Sequence, residues 1–468
     1  MPILGTYLMP HPPIILPEVG QGQERRIQDT INSLNAIGKD IKEKSPSTIV
    51  IITPHGTMFN DAISMVNESS IEGDLSMFGV PEVSMKCLIN QKLTGEIETL
   101  SNDENVPVVL SSKDFLETFD VKLSLDHGTL VPLYYVNKFY SDYRIVHITY
   151  APLNDLELYQ FGTIITKAIE ALNENAIVIA SGDLSHKLKD DGPYDYSPYG
   201  KTFDTTFVEL LEKNQVRDIF SMDSKLISEA GECGFRSVLI MLGVLDGYKV
   251  QSKRHSYEGP FGVGYGVMSF SIVGKEDSKL GAIEQAISNK KEQKLNNANP
   301  YVKLARESLT TYLETGKELK ELPSYVTDEM EKEKRGVFVS LKKNGELRGC
   351  IGTILPTTNS IAEEIIRNAV EAGLHDPRFY EVNKDELLDI DFSVDVLGQA
   401  EPATTDQLDP KNYGVIVYNA RKKGLLLPNL EGIDTVEEQL SIVLQKAGIE
   451  QDEPYELKRF EVIRHSEI

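Results

Sequence analysis

The sequence predicts an α/β protein in two domains, a larger one built on a mostly parallel sheet and a smaller α+β one. Three observations carry this. At 468 residues the chain is longer than one hydrophobic core usually serves. Its first ~270 residues alternate short β-branched runs with helical periodicities, the pattern of strand–helix–strand units. The stretch 275–296 then turns polar and nearly free of β-branched residues, which reads as an exposed, partly helical linker. The expected boundaries are therefore 1–274, a linker 275–296, and 297–468.

In the first domain the runs 48–52, 107–110, 143–148 and 176–180 read as buried strands, because continuous Val/Ile-rich segments suit a sheet covered on both faces. Residues 23–43, 156–173 and 202–212 carry helical spacing. The glycine-dotted run 259–270 reads as a closing strand. It is not a phosphate-binding loop, since no helix N-terminus follows at once to cradle an anion. In the second domain, 301–313 is helical, and 336–341 pairs with 347–352 across the turn Lys343-Asn344-Gly345, a strong hairpin signal. A helix at 360–372, a strand at 390–397 and a helix at 436–447 complete it. There is no internal repeat.

Composition excludes several classes. With 72 acidic against 48 basic residues and a net charge of −24, the chain lacks the basic face that nucleic acid or an anionic membrane requires. The three cysteines, Cys87, Cys233 and Cys350, form no C-x-x-C pair. That argues against a disulfide framework or a Cys-rich zinc site and for a reducing, cytoplasmic setting. Met1-Pro2-Ile3-Leu4-Gly5 has no basic n-region and is not expected to be a signal peptide. No apolar run approaches the ~20 residues of a membrane helix.

Chemistry concentrates on histidine. Three of the eight histidines sit where strands open into loops: His11 in Met-Pro-His-Pro-Pro, His55 in Ile-Thr-Pro-His-Gly and His186 in Gly-Asp-Leu-Ser-His. Loops at the carboxyl ends of strands are where open α/β sheets bind ligands, and two histidines with one carboxylate form the facial ligand set of non-heme Fe(II) oxygenases. Rigid Pro and Gly flanks suit His11 and His55 to metal binding. The third ligand is sought in Ser228-Glu229-Ala230-Gly231-Glu232-Cys233-Gly234. Glu232 completes a hard-donor set suited to iron; Cys233 gives a softer His₂Cys set suited to zinc or copper. His186 is the expected general acid/base, with Asp183 to orient it, although Asp183 or Ser185 also fits a helix cap. His127 in Asp-His-Gly-Thr-Leu can hydrogen-bond an anionic substrate oxygen. His147 lies inside a strand and reads as a sheet-face residue. In the second domain, Arg348 and Cys350 on a hairpin strand are expected to face a pocket with His375 and Arg378. Arg348 would then lower the Cys350 pKa, against the plainer reading of an inert strand cysteine.

Taken together, the segments around His11, His55, His127 and His186 resemble the B-subunit type of class III extradiol ring-cleavage dioxygenases, and the related Memo family, over residues ~1–272 by order and spacing. The resemblance implies an extradiol-dioxygenase-like fold with Fe(II) held by His11, His55 and Glu232. It implies O₂ and a small catechol-like aromatic substrate, His186 moving protons and His127 touching substrate. Glu232-Cys233-Gly234 also resembles the Memo-type Cys-Gly segment, which implies Cys233 as ligand. Leu347-Arg348-Gly349-Cys350-Ile351-Gly352, Leu374-His375-Asp376-Pro377-Arg378-Phe379 and Gly424-Leu425-Leu426-Leu427-Pro428 are similar to the AMMECR family. The fused pair implies a radical-SAM protein as a partner, with a second copy of this chain as a further candidate.

Overall fold

The computed structural model describes residues 2–296, 298–343, 345–430, 432–450 and 452–467. The chain divides into two units, Met1–Ala286 and Ile287–Ile468, and the division falls inside the helix Leu280–Asn296, which occupies most of the expected linker.

Among the described residues the first unit has ten strands: β1 (Ile3–Met9), β2 (Thr48–Thr53), β3 (Ile63–Val66), β4 (Ser70–Leu75), β5 (Val80–Leu88), β6 (Val108–Ser111), β7 (Arg144–Thr149), β8 (Ala176–Ser181), β9 (Tyr248–Glu258) and β10 (Tyr265–Lys275). Eight form one sheet in the order β6-β3-β7-β2-β8-β1-β10-β9. Its centre, β7-β2-β8-β1, is parallel. β10 and β9 extend it antiparallel on one side. On the other side β3 runs antiparallel to β7 and carries β6 parallel to itself. β2 and β8 are buried at every position, as strands covered on both faces must be. Ile49, Ile51, Ile177 and Ile179 share a core cluster with Leu34, Ile37 and Ile41 of the helix Gln28–Lys44. The alternating Val50, Ile52, Val178 and Ala180 are equally buried and turn to the opposite face by the two-residue period of a strand. There the helix Phe235–Val244 packs on β8 and on the helix Asp155–Leu172. That second helix opens with a capping box, Asn154 with Glu157, which satisfies otherwise orphaned backbone donors.

The order places a crevice. The chain leaves β1, crosses through Gln28–Lys44 to β2, and leaves room between them that β8 later fills. The carboxyl ends of β2, β8 and β1 therefore lie side by side, where such sheets bind ligands. The expected strands are present within a residue or two. The closing segment differs: 259–264 is loop, and the strand proper, β10, begins at Tyr265 and pairs with β9. β9, β3 and the β4–β5 hairpin go beyond the strands expected. β9 and the β4–β5 hairpin are partly exposed, as suits strands covered on one side; β3, between β6 and β7, is buried but only four residues long.

Among the described residues the second unit has two antiparallel sheets. One orders Glu346–Gly352, Val337–Lys343, Ile390–Leu397 and Val462–Ser466; the helices Pro300–Thr315 and Ile361–Leu374 share its core. The other orders Glu401–Pro402, Glu456–Phe460, Gly414–Tyr418 and Lys423–Leu426 and packs on the helix Val436–Ala447. The expected hairpin is formed; Asn344 of its turn lies outside the described residues. Among the described residues, no helix is long and apolar enough to cross a membrane.

Candidate metal centre

Four segments converge on the crevice. His11 follows β1 by two residues, His55 follows β2 by two, and Asp183 follows β8 by two. Cys233 comes from the turn before the helix Phe235–Val244. The last approach needs glycine. A Cβ on Gly182 would stand 2.1 Å from the Gly234 Cα, so a side chain at 182 would push the Cys233 turn away from the β8 loop.

The donor atoms are close. The Nε2 atoms of His11 and His55 are 3.0 Å apart, and Cys233 Sγ is 3.5 Å from His11 Nε2. His11, His55 and Cys233 form the group of metal-competent donors found among the described residues. A tetrahedral ion with ordinary zinc–nitrogen and zinc–sulfur bonds would set nitrogens ~3.3 Å and nitrogen and sulfur ~3.6 Å apart; the two His11 pairs are close to these separations, and all three donors lie within 4.8 Å of one another, near enough to share one ion. The tautomer of His11 follows from proton bookkeeping. Ser181 Oγ donates its only proton to the Gly128 carbonyl at 2.5 Å. Its 2.8 Å contact with His11 Nδ1 must then be a hydrogen bond from Nδ1–H, which leaves the Nε2 lone pair bare toward the site.

Glu232, the expected third ligand, is outside this group. Its carboxylate accepts the Phe235 backbone N–H at 2.5 Å, drawn to the positive end of the helix that begins there. Burial pushes its pKa up to about 7 against the opposing pull of that N–H and of Arg236. Cys233, the softer option, stands beside the histidines. Burial, with Asp183 and Glu232 nearby, raises its thiol well above the usual value; coordination to a cation is what deprotonates such a thiol.

Asp183 also departs from expectation. Its Oδ1 accepts the His11 backbone N–H at 2.9 Å, so it positions His11 and not the His186 ring. Burial raises its pKa to about 7. Ser185 caps only a local turn: its Oγ accepts the Lys187 N–H at 3.0 Å and donates to the Ala230 carbonyl, in a loop that no helix follows until Pro198.

The other two histidines belong to the same cluster. His127 opens the helix His127–Asn137 and stacks on His55 at 4.3 Å between ring centroids. Burial, then His55, lowers the pKa of His127 to about 4; burial and His55 do the same for His186. Both are therefore neutral near pH 7, the form that accepts a proton.

Asp126 and His147 carry a role the sequence did not disclose. Asp126 caps the His127 helix by accepting Thr129 N–H at 3.1 Å. It also accepts Thr53 Oγ1 at 2.6 Å and contacts His147 Nε2 at 3.1 Å. Thr53 Oγ1 in turn accepts the His55 backbone N–H at 3.2 Å. One buried carboxylate thus ties together the segments that bear His55 and His127. Burial alone would raise its pKa; the hydrogen bond and attraction of His147, with Thr53, outweigh that and hold it below the usual carboxylate range. Asp before a helix is a readable cap, but the pairing with His147 joins residues 21 apart in sequence and no local pattern encodes it.

In the second unit, Arg348 is engaged away from the expected pairing with Cys350. Its guanidinium binds Glu386 and the carbonyls of Tyr380 and Glu381, anchoring that loop. Cys350 accepts from Ser340 Oγ at 3.2 Å. Its backbone N–H goes to Asp376 and its carbonyl accepts from Arg378, so these two side chains occupy the edge of the strand as a neighbouring strand would. His375 pairs with Glu371. In place of the expected pocket, Arg348, the Cys350–Asp376–Arg378 group and His375 make separate structural contacts.

Two family models match the two units in order. Residues 5–268 match the family described as the catalytic LigB subunit of aromatic ring-opening dioxygenase, and residues 302–465 match AMMECR1. A protein of Clostridium acetobutylicum is 56% identical over the full length of both chains. One of Thermotoga maritima is 49% identical over 36% of this chain and 97% of its own. A crystal structure from Pyrococcus horikoshii, 32% identical, covers 35% of this chain and 88% of that one with a TM-score of 0.32.

Proposed function

The chain belongs, through residues 5–268, to the family of the catalytic LigB subunit of aromatic ring-opening dioxygenases, and from that premise we propose a metal-dependent enzyme acting on small hydroxylated aromatic substrates. The observation that carries the reading is the convergence of His11, His55 and Cys233 on one point, with the His11 lone pair already turned toward it. A bound transition ion would lower the pKa of a substrate hydroxyl coordinated to it. In this reading the imidazoles of His186 and His127 take that proton, and Asp183, which accepts the His11 backbone N–H, keeps that ligand in register. Ring opening with Fe(II) and O₂ is the reaction to test first. The AMMECR1-type unit has an accessory role in this reading.

One observation favours a second reading. A thiol stands where a hard carboxylate was expected, and a His₂Cys set suits zinc or copper better than iron. On that reading the unit is a redox-responsive metal scaffold working with a partner, a radical-SAM protein or a second copy of the chain.

The test is metal content after anaerobic purification, then O₂ uptake by the iron-loaded protein with a panel of catechols. We expect one ion per chain, kept in Glu232→Ala and lost in Cys233→Ala. Uptake with a yellow product, abolished in His186→Ala, supports the enzyme. A stoichiometric ion without uptake supports the scaffold. Protein that binds no ion overturns both.

A further inference from the structure

The imidazoles of the site are held in two different ways. His11 is fixed through Nδ1 by Ser181. His127 and His186 make no hydrogen bond through a ring nitrogen among the described residues. Outside the histidine cluster, each ring meets one aromatic side chain. The Phe78 centroid lies 5.2 Å from that of His127 with the planes at 69°. The Tyr194 centroid lies 5.2 Å from that of His186, nearly parallel at 22°.

The two aromatics come from unconnected segments. Phe78 is in the turn Ser76–Phe78 at the tip of the β4–β5 hairpin, and Tyr194 is in the loop between β8 and the helix Pro198–Glu212. They are 37% and 53% exposed, so neither serves a core. A single exposed aromatic needs no explanation. Two that land one each on the non-ligand imidazoles of the same site form a built arrangement. Its chemistry differs from that of a hydrogen bond. A hydrogen-bond partner would occupy a ring nitrogen and fix the tautomer. An edge or stacked contact orients the ring plane and leaves both nitrogens open, as a group that takes and returns a proton requires.

We propose that Phe78 and Tyr194 are positioning residues that aim His127 and His186 at the substrate hydroxyls. This rests on the metal-enzyme reading above. In the step they assist, a substrate O–H bond breaks, its electron pair stays on oxygen, and an N–H bond forms on the imidazole.

The test uses zinc-loaded full-length protein and 4-nitrocatechol, whose absorption band reports its ionisation without turnover. Tyr194→Leu and Phe78→Leu keep apolar bulk and lose the ring; Tyr194→Phe and Phe78→Tyr keep it. We expect the leucine variants to hold zinc as wild type does and to ionise the bound probe about 2- to 12-fold less, the worth of one aromatic contact, with both ring-retaining variants near wild type. Leucine variants that ionise the probe as well as wild type overturn the proposal. So do ring-retaining variants as poor as the leucine ones, and so does loss of zinc from the leucine variants, which would put the aromatics to work on the ligands. Zinc-loaded wild type that does not bind the probe overturns the substrate reading, and this proposal with it.

Discussion

Replacing Asp126 by asparagine should loosen the metal centre without touching a ligand. The carboxylate accepts from Thr53 Oγ1 and Thr129 N–H on one oxygen and meets Thr129 Oγ1 and His147 Nε2 on the other. Asparagine keeps the first acceptor and turns the second into an NH₂ group facing the His147 N–H. His147 can relieve the clash only by moving its proton to Nδ1, and that atom is buried without a partner among the described residues. Either way one buried donor goes unsatisfied, at about 1–3 kcal/mol. For a unit of this size that lowers the melting temperature by roughly 2–10 °C. Because Thr53 also holds the His55 backbone, zinc affinity should fall about 10- to 100-fold, the usual effect of removing a partner behind a ligand. Calorimetry and zinc titration against a chromophoric chelator read the two effects. The pH dependence is also defined. A carboxyl held below its unfolded value contributes stability that is present above the unfolded pKa and lost only as pH falls through the lower folded value. The gap between wild type and variant should therefore stay constant from pH 5 to 8. An unchanged melting temperature together with unchanged zinc affinity would refute the reasoning.

Two further outcomes are expected. Gly182→Ala places its methyl against the Gly234 backbone, which cannot retreat as a flexible side chain would; it should weaken metal binding at least ~10-fold, measured by the same chelator competition. Asp204 is fully buried, accepts Ser185 N–H and Tyr257 OH, and has its pKa raised by burial to about 7. The unfolded chain releases this proton near pH 4 and the folded chain near 7, so the group removes stability as pH rises across that window. Asp204→Asn should gain stability over wild type at pH 8 relative to pH 5 in urea unfolding, and an equal difference at both pH values would count against it.

The sequence by itself determined the fold class and most of the site's membership. Buried parallel strands such as Thr48–Thr53 and Ala176–Ser181 announce themselves because burial on both faces demands an unbroken apolar run. His11, His55, His127 and His186 were legible because proline, glycine and a strand exit surround them locally. The third donor was not legible. Glu232 and Cys233 are neighbours in sequence, and only the approach of Gly182 to Gly234, together with the pull of a helix N-terminus on the carboxylate, decides that the thiol faces the histidines. The same holds for Asp126 with His147, for Asp183 beneath His11 and for Arg348 turned to Glu386. Each of these contacts joins residues distant along the chain, and a hydrogen bond between distant residues is fixed by where strands and helices pack, which local sequence periodicity does not encode.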